Sequence, residues 1–232
     1  MTTPRKKIRF ALAGCGRISG KHLEALQKLK SEAELIAVCD ADPVRAKAVG
    51  DAQGVPAYTR YDEFLKSVSA DVISLATPSG LHADQAIAAA EKGFHCVVEK
   101  PMATRWEDGK RMVEAFDDAE RQLLVVKQNR LNPTIARLKR AVTDKRFGRI
   151  YMVTTNVFWT RPQEYYDSAK WRGTWELDGG AIMNQASHYV DLLDWLVGPI
   201  DSVHAFCATL ARNIHVEDTG VVSLKWRSGA LG

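Results

Sequence analysis

Short apolar runs alternate with longer segments of helical spacing over the first half of the 232-residue chain. The runs read IRFALA, ELIAVCD, DVISLATP, HCVVEKP and QLLVVKQ, and the segments between them include KHLEALQKLK and HADQAIAAAEKG. Continuous apolar strands are buried on both faces, and parallel strands need helical crossovers between them. The alternation therefore predicts an α/β fold that begins with a parallel sheet carrying helices on both faces.

A different pattern follows residue 129. The β-rich runs RIYMVTTNVFW and SVHAFCATLAR are separated by the helix-like segment NQASHYVDLLDWLVG. Such runs favour an α+β domain with a mostly antiparallel, open sheet. We therefore expect two domains, residues 1–129 and 130–232, without a low-complexity linker between them. Within the first domain, Thr104 and Glu107 form a T-x-x-E pattern that predicts the start of a helix.

The composition argues against several classes of protein. A net charge of +4 with 26% charged residues, and no long run of one sign, disfavours nucleic-acid binding and favours a small anionic ligand. The cysteines Cys15, Cys39, Cys96 and Cys207 are far apart and form no CxxC pair, which predicts reduced, buried thiols in a cytoplasmic protein. We predict no metal site. No apolar stretch suits a signal peptide or a bilayer span, so we expect no membrane partner.

A glycine-rich turn follows the first apolar run. Gly14 and Gly16 match the first two glycines of the dinucleotide fingerprint, whereas Ser19 stands where the third small residue usually falls. Gly14 would permit the tight turn, and Gly16 would let the backbone approach a pyrophosphate at a helix N-terminus. Asp40 ends the next run, where a carboxylate binds ribose hydroxyls and repels a 2′-phosphate, which favours NAD over NADP. The same glycines would also suit an ordinary strand-to-helix turn in another α/β fold.

Several motifs extend over nearly the whole chain. They are Thr77-Pro78-Ser79-Gly80-Leu81-His82, Glu99-Lys100-Pro101, KQNR, the Trp171-Arg172 pair, and Gly179-Gly180 leading to His188. Together they resemble the glucose-fructose oxidoreductase/inositol dehydrogenase (Gfo/Idh/MocA) family. The patterns NVFWTRPQEYYD, WRGTWELDGGAIMNQASHYVDLL and EDTGVVSLKW are similar to one branch, which oxidises C3 of UDP-N-acetylglucosaminuronic acid with NAD in bacterial O-antigen and lipopolysaccharide sugar synthesis. The resemblance implies an NAD-dependent oxidoreductase of a UDP-sugar, a homotetramer, and 2-oxoglutarate as a candidate for regenerating NAD.

The resemblance also implies a cofactor site. Its residues would be Gly14, Cys15, Gly16, Arg17 and Ile18 around the pyrophosphate, Asp40 at the adenosine ribose, Thr77, Pro78, Ser79, His82, Glu99, Lys100 and Asn129 toward the nicotinamide, and Trp171 and Arg172 closing over the cofactor. His82 lies near a helix start, so it would equally suit a helix cap.

The resemblance further implies Lys100 and His188 as the catalytic pair, with Lys100 facing the reacting carbon. The substrate site would comprise Lys100, Arg161, Tyr165, Tyr166, Asn184, Gln185 and His188. Most relatives carry Asp at the position of Asn184, so this chain lacks a carboxylate there that could share the proton transfer. Either Lys100 or His188 could be the proton acceptor. We favour Lys100, because the positive charge of the nicotinamide ring disappears on reduction and the lysine becomes more basic as the proton arrives.

Structural roles compete with some of these assignments. Lys100 would also suit a solvated strand end, His188 a buried helix face, and the residues Arg161, Tyr165 and Tyr166 a sheet surface. Two other functions stay open, namely an inositol or free-sugar dehydrogenase of the same family and an NAD-sensing protein without turnover. Relatives of the branch continue for about another third of their length, so we expect the second sheet to be cut short, leaving an exposed strand edge.

Overall fold

The computed structural model describes residues 6–232, and the chain divides into two compact units between Val126 and Lys127. The first is an α/β unit and the second is an α+β unit. The domain boundary expected after residue 129 falls within the 3₁₀ helix Gln128–Leu131 and stays a prediction.

The first unit is built from strands and helices in alternation. Its strands are β1 Ile8–Ala13, β2 Ala33–Cys39, β3 Ala57–Tyr58, β4 Val72–Leu75, β5 His95–Val98 and β6 Leu123–Val125. Its helices are α1 Ser19–Lys28, α2 Pro43–Gln53, α3 Tyr61–Ser67, α4 His82–Glu91 and α5 Trp106–Asp118. The strands form one parallel sheet in the order β3-β2-β1-β4-β5-β6. This topology confirms the parallel α/β fold that the alternating sequence predicts.

Apolar packing holds the carboxyl ends of the strands in place. The strand β4 is buried along its whole length, and Phe64, Met112 and Phe116 pack from the helices into the same core. Burial of each such side chain contributes about 1.5–3 kcal/mol. The ends of β1, β4 and β5 therefore lie fixed at one edge of the sheet, which is where ligands bind in folds of this topology.

Local sequence sets the limits of α2. The carboxylate of Asp42 accepts the N–H groups of Val44 at 2.9 Å and Arg45 at 3.3 Å. Pro43 occupies the first turn, where its missing N–H costs nothing, and Gly54 ends the helix with φ of +67°. An N-cap such as Asp42 contributes about 1 kcal/mol.

The start predicted for α5 is wrong in its detail. The helix begins at Trp106 after Arg105, which makes no side-chain capping bond. Thr104 therefore precedes the capping position, and Glu107 is one residue short of the position that would complete a capping box.

The second unit contains three α-helices and a two-stranded sheet. These are α6 Pro133–Thr143, α7 Gln163–Asp167, α8 Ser187–Val197, β7 Ile200–Ala208 and β8 Thr219–Trp226. A π-helical turn, Ala181–Gln185, comes shortly before α8. The strands β7 and β8 pair antiparallel, which confirms the predicted change of sheet type.

The strand predicted over RIYMVTTNVFW is wrong. Within residues 6–232 this run forms only an isolated bridge, between Met152 and Leu231. The N–H of Val153 donates to Leu231, and the N–H of Leu231 donates to Tyr151. A β-rich run becomes a strand only where another segment lies alongside it, and here the pairing stops at Leu231.

The prediction of buried cysteines is correct for three of the four. Cys15, Cys39 and Cys96 are buried free thiols, whereas Cys207 is exposed. Cys207 lies on β7, whose residues after Ile200 are all exposed, so its apolar sequence neighbours do not bury it.

Candidate active site

The glycine turn after β1 brings its backbone close to the end of β4. Gly14 has φ of +94°, and a Cβ there would lie 2.4 Å from the carbonyl oxygen of Ala76. A Cβ at Gly16 would meet nothing within 4 Å, so open space lies against the turn at that residue. Arg17 and Ile18, which follow, are exposed. The residues present therefore fit a pyrophosphate that approaches the backbone at the N-terminus of α1.

Asp40 follows β2 and holds the glycine turn. Its Oδ2 accepts the N–H of Cys15 at 2.7 Å, and its Oδ1 accepts the N–H of Asp42 at 2.8 Å. Burial and the charge of Asp40 raise the pKa of the Cys15 thiol to about 11, so Cys15 stays protonated and unreactive near neutral pH. Asp40 thus has a structural role that the motif did not reveal, and its ribose role stays a prediction.

The loop after β4 carries the predicted residues Thr77, Pro78, Ser79 and His82. Thr77 donates its hydroxyl to Gln85 at 2.6 Å, and Ser79 is buried. His82 is 1% exposed; its Nδ1 lies 2.8 Å from the carbonyl oxygen of Pro101, and its Nε2 lies 3.0 Å from that of Thr77. Burial lowers the pKa of His82, and the neutral ring donates to one of these carbonyls. The buried ring lies within hydrogen-bond distance of both this loop and the segment after β5, and the start of α4 has no side-chain cap.

A hydrogen-bonded array joins α1, β4 and the end of β5. The Nε2 of His22 lies 3.0 Å from Oε1 of Glu99, and its Nδ1 lies 2.8 Å from the hydroxyl of Ser74. Oε2 of Glu99 accepts the N–H of Lys100 at 3.2 Å. Sequence reasoning missed His22 and Ser74. The signal that could have found His22 is its place in the helix that the glycine turn opens.

Lys100 follows Glu99 directly beyond the end of β5. Lys100 is partly buried, and the peptide bond between Lys100 and Pro101 is cis. The first unit therefore brings the glycine turn, Asp40, the loop after β4 and the Glu99–Lys100 pair to the same edge of the sheet.

Arginine and aromatic side chains alternate in the second unit. The guanidinium carbon of Arg161 lies 5.1 Å from the ring centroid of Trp159 and 5.0 Å from that of Tyr165. The guanidinium carbon of Arg172 lies 4.1 Å from Tyr165 and 4.5 Å from Trp171. The Nε atoms of both arginines are buried and have no hydrogen-bond partner in the described part of the chain. We call these five side chains the cation–aromatic stack, and its chemistry suits an anionic ligand with a planar group.

Tyr166 lies beside this stack. Its ring packs edge-on against Tyr165 with the centroids 5.1 Å apart, and the residue is buried. Burial raises the pKa of its hydroxyl, so Tyr166 stays neutral. Its packing gives it a structural role, and its contact with a substrate stays a prediction.

A buried glutamate holds the π-helical turn Ala181–Gln185. Oε1 of Glu217 accepts the N–H of Ile182 at 3.0 Å. A Cβ at Gly180 would come within 2.0 Å of that carboxylate, so only glycine fits there. Glu217 thereby fixes the turn that leads to His188 in the first turn of α8.

A second buried carboxylate fixes the side chain of Asn184. The Nδ2 of Asn184 donates to Oδ1 of Asp178, and Oδ2 of Asp178 accepts the N–H of Gly173 at 2.7 Å. Asp178 is 1% exposed, and His188 is 8% exposed. The Nε2 of the buried Gln185 has no hydrogen-bond partner among residues 6–232. Sequence reasoning missed Asp178, since its place in WELDGG carries no periodic or spacing signal.

Asn129 lies in the 3₁₀ helix Gln128–Leu131 of the second unit. Its neighbour Arg130 donates twice to Asp191, at 2.9 and 2.6 Å, and Lys127 lies 3.5 Å from the same carboxylate. Burial opposes ionisation of Asp191, but the two cations lower its pKa overall. The KQNR motif therefore anchors α8 as well as carrying Asn129.

Between residues 6 and 232 no three or more His, Cys, Asp or Glu side chains are arranged to hold a metal ion. No helix in that range combines the length and hydropathy that spanning a bilayer requires.

The chain belongs to the Gfo/Idh/MocA oxidoreductase family. Residues 8–127 match the family's NAD-binding Rossmann fold, and residues 135–232 match its C-terminal domain. These matches confirm the resemblance that the motifs indicate and make the first unit an NAD-binding Rossmann domain.

Two solved structures are similar to the chain over almost its whole length. The WlbA dehydrogenase of Chromobacterium violaceum, in complex with NADH and UDP-GlcNAcA, is 63% identical with a TM-score of 0.97, over 100% of this chain and 67% of that one. The WlbA dehydrogenase of Bordetella pertussis, with the same two ligands, is 60% identical with a TM-score of 0.97, over 98% of this chain and 69% of that one.

More distant relatives act on other sugars. The D-xylose 1-dehydrogenase (NADP(+)) 2 of Haloferax volcanii is 31% identical over 223 residues, which are 95% of this chain. The chain spans 66% of that protein's length, and 60% of the D-apiose dehydrogenase of Paraburkholderia graminis, to which it is 28% identical over 239 residues.

Proposed function

We propose that the chain is an NAD-dependent dehydrogenase that oxidises C3 of UDP-N-acetylglucosaminuronic acid to the 3-keto sugar. The observation that carries this proposal is the 60–63% identity to two WlbA dehydrogenases in complexes with NADH and UDP-GlcNAcA. The substrates of the family's other enzymes are much weaker candidates, since the D-xylose enzyme is only 31% identical to this chain.

Asp40 supports NAD as the cofactor. Its carboxylate would accept hydrogen bonds from the ribose hydroxyls, and its charge would repel the 2′-phosphate of NADP. Asp40 also accepts the N–H of Cys15, so the residue that would select NAD is hydrogen-bonded to the turn that would receive the pyrophosphate. NAD, when bound, supplies the acceptor for the hydride that leaves C3.

The residues of the chain must then hold the sugar and take the proton of the C3 hydroxyl. We assign Lys100 as the principal proton acceptor or orienter, and His188 as a hydrogen-bond partner of the same hydroxyl or an adjacent one. The segment after β5 supports Lys100, since Oε2 of Glu99 accepts the N–H of this residue and the buried His82 ring lies 2.8 Å from the carbonyl oxygen of Pro101.

The cation–aromatic stack supports a nucleotide-sugar substrate. UDP-GlcNAcA combines a diphosphate and a carboxylate, which guanidinium groups bind, with a uracil ring, which aromatic faces bind. Arg161 leaves a buried Nε without a partner among the described residues, so the stack offers a donor for an anionic group of the substrate. We propose that Arg161, Tyr165 and Tyr166 contact the nucleotide end, and Asn184 and Gln185 the sugar.

The test measures NADH absorbance after the 232-residue chain is mixed with NAD and one sugar at a time. UDP-GlcNAcA should produce NADH, whereas UDP-GlcNAc, which lacks the C6 carboxylate, and myo-inositol should not. Adding 2-oxoglutarate should remove the NADH signal while the keto sugar accumulates, if the same protein recycles the cofactor. Turnover of myo-inositol in place of the UDP-sugar would contradict the substrate proposal. NAD binding without turnover of any sugar would favour a sensor.

The wider setting follows from the same resemblance. We propose a cytoplasmic homotetramer that contributes to O-antigen and lipopolysaccharide sugar synthesis, where a 3-keto sugar would be the substrate for a later amination. Sedimentation of the purified chain tests the tetramer independently of the activity.

A further inference from the structure

The array of Ser74, His22 and Glu99 lies at the carboxyl edge of the parallel sheet. We propose that it holds the Glu99 carboxylate as a fixed negative charge on the nicotinamide side of the cofactor site, so that the chain binds oxidised cofactor more tightly relative to reduced cofactor. This inference rests on the NAD binding in the proposed function, and it is independent of which sugar is oxidised.

The proton positions in the array follow from its chemistry. A carboxylate oxygen only accepts, so the 3.0 Å contact between Glu99 and Nε2 of His22 places a proton on that nitrogen. In the neutral ring Nδ1 is then an acceptor, and the hydroxyl of Ser74 donates to it at 2.8 Å. The N–H of Lys100 donates to the other carboxylate oxygen at 3.2 Å. Each oxygen of Glu99 therefore has a donor, which fixes its plane and stabilises its charge.

Burial makes a charge in this position effective. Glu99 is 8% exposed, Ser74 is 2% exposed, and the side chain of His22 is 12% exposed. Solvent and salt screen a buried charge much less than one at the surface. The competing explanation is that the array only fastens α1 to the sheet. A fastening role needs hydrogen bonds but no net charge, so glutamine at position 99, with its neutral amide, would still fasten α1 to the sheet.

The strand order places Glu99 on the nicotinamide side. Asp40 follows β2 on one side of β1, whereas Glu99 follows β5 on the other side. In Rossmann domains the two halves of the sheet bind the two halves of the dinucleotide, and the adenosine ribose lies at the acidic residue after β2. The oxidised nicotinamide ring is a cation and the reduced ring is neutral, so the Glu99 carboxylate stabilises the oxidised form alone.

The test is the ratio of two dissociation constants, for NAD+ and for NADH, measured calorimetrically on the full 232-residue chain without sugar. Glu99→Gln should weaken NAD+ binding about tenfold more than NADH binding. His22→Leu should change the ratio in the same direction by a smaller factor, since the carboxylate loses its buried donor. His22→Gln, whose amide can still donate, should restore most of the original ratio.

The matched control is Glu24→Gln on the same helix. Glu24 is an exposed carboxylate paired with Lys21 and Lys28, so its removal should leave the ratio unchanged. Equal weakening of both cofactor forms in Glu99→Gln, or in His22→Leu if the first variant does not fold, would overturn the inference and leave a fastening role. A changed ratio together with failure to oxidise any sugar would leave this inference standing while contradicting the substrate proposal.

Discussion

Replacing Gly14 by alanine should destabilise the first unit even when no cofactor is bound. The new Cβ would lie 2.4 Å from the carbonyl oxygen of Ala76, 2.5 Å from its carbonyl carbon and 2.7 Å from the nitrogen of Thr77. All three are backbone atoms at the end of β4, so no side chain can move aside. The backbone itself is also unfavourable for alanine, because φ at this position is +94°.

The size of the effect follows from these two penalties. A non-glycine residue in left-handed geometry costs about 1–2 kcal/mol, and forcing an extra carbon into a packed site costs about 1–3 kcal/mol. Together they predict a loss of about 2–5 kcal/mol for Gly14→Ala. For a chain of this size each kcal/mol lowers the melting temperature by about 2–4 °C, so a fall of roughly 4–20 °C is expected.

Gly16→Ala is the matched control for this prediction. A Cβ at Gly16 meets nothing within 4 Å, so the variant without cofactor should melt within about 1–2 °C of the parent. It should nevertheless bind NAD about tenfold more weakly, because its methyl group occupies the space where the pyrophosphate would approach. Circular dichroism melts and NAD titrations separate the two effects. The reasoning fails if Gly14→Ala melts like the parent, or if Gly16→Ala loses stability without losing NAD affinity.

Three other outcomes are expected. Asp40→Ser with an arginine introduced nearby should shift binding from NAD toward NADP, and an unchanged preference in titrations would mean that the ribose assignment is wrong. Lys100→Met should lower kcat by about 10²–10⁴ while NAD affinity barely moves, with a smaller loss in His188→Asn; a dead His188→Asn beside an active Lys100→Met would reverse the roles. Asp191→Asn should cost about 1 kcal/mol, since the partly exposed Arg130 loses its ionic partner and solvent screens the loss. Because folding lowers the pKa of Asp191, this contribution is complete above about pH 4 and is lost only as pH falls through the lower folded value, so melts of parent and variant should converge only in strong acid.

The parallel sheet could be predicted because its signal is local and repeated. Each buried strand is a short apolar run, and each crossover is a helix with its own period. The strand predicted over RIYMVTTNVFW failed because strand formation depends on a partner, and the sequence of the run says nothing about what lies beside it. The bridge from Met152 to Leu231 shows how little pairing this run has within residues 6–232.

The candidate site likewise contains residues that the sequence predicts and residues that it does not. Gly14, Gly16 and Asp40 stand in a contiguous motif with fixed spacing, so the sequence alone places them at one edge of the sheet. His22 could not be assigned, because its two partners, Ser74 and Glu99, are 52 and 77 residues away in sequence. Contacts at that separation follow from the order of the strands and not from any local pattern.

The carboxylate that the sequence appeared to have lost at Asn184 is present six residues earlier. Asp178 accepts the amide N–H of Asn184 and is buried, so the segment retains a carboxylate in a fixed place. Asn184→Asp would put a second carboxylate against the first. Like charges at that distance cannot both ionise in a buried site, so we expect kcat to fall rather than rise.

Exchanging the two residues, as Asp178→Asn with Asn184→Asp, returns the segment to one carboxylate and one amide. The amide at 178 can still accept the N–H of Gly173 through its oxygen and donate to residue 184. The exchanged chain should therefore fold like the parent and recover much of the kcat that Asn184→Asp loses, measured with UDP-GlcNAcA. If Asn184→Asp is as active as the parent and the exchange brings no further change, then the pairing with Asp178 has no part in positioning Asn184, and the sequence position of the carboxylate does not matter.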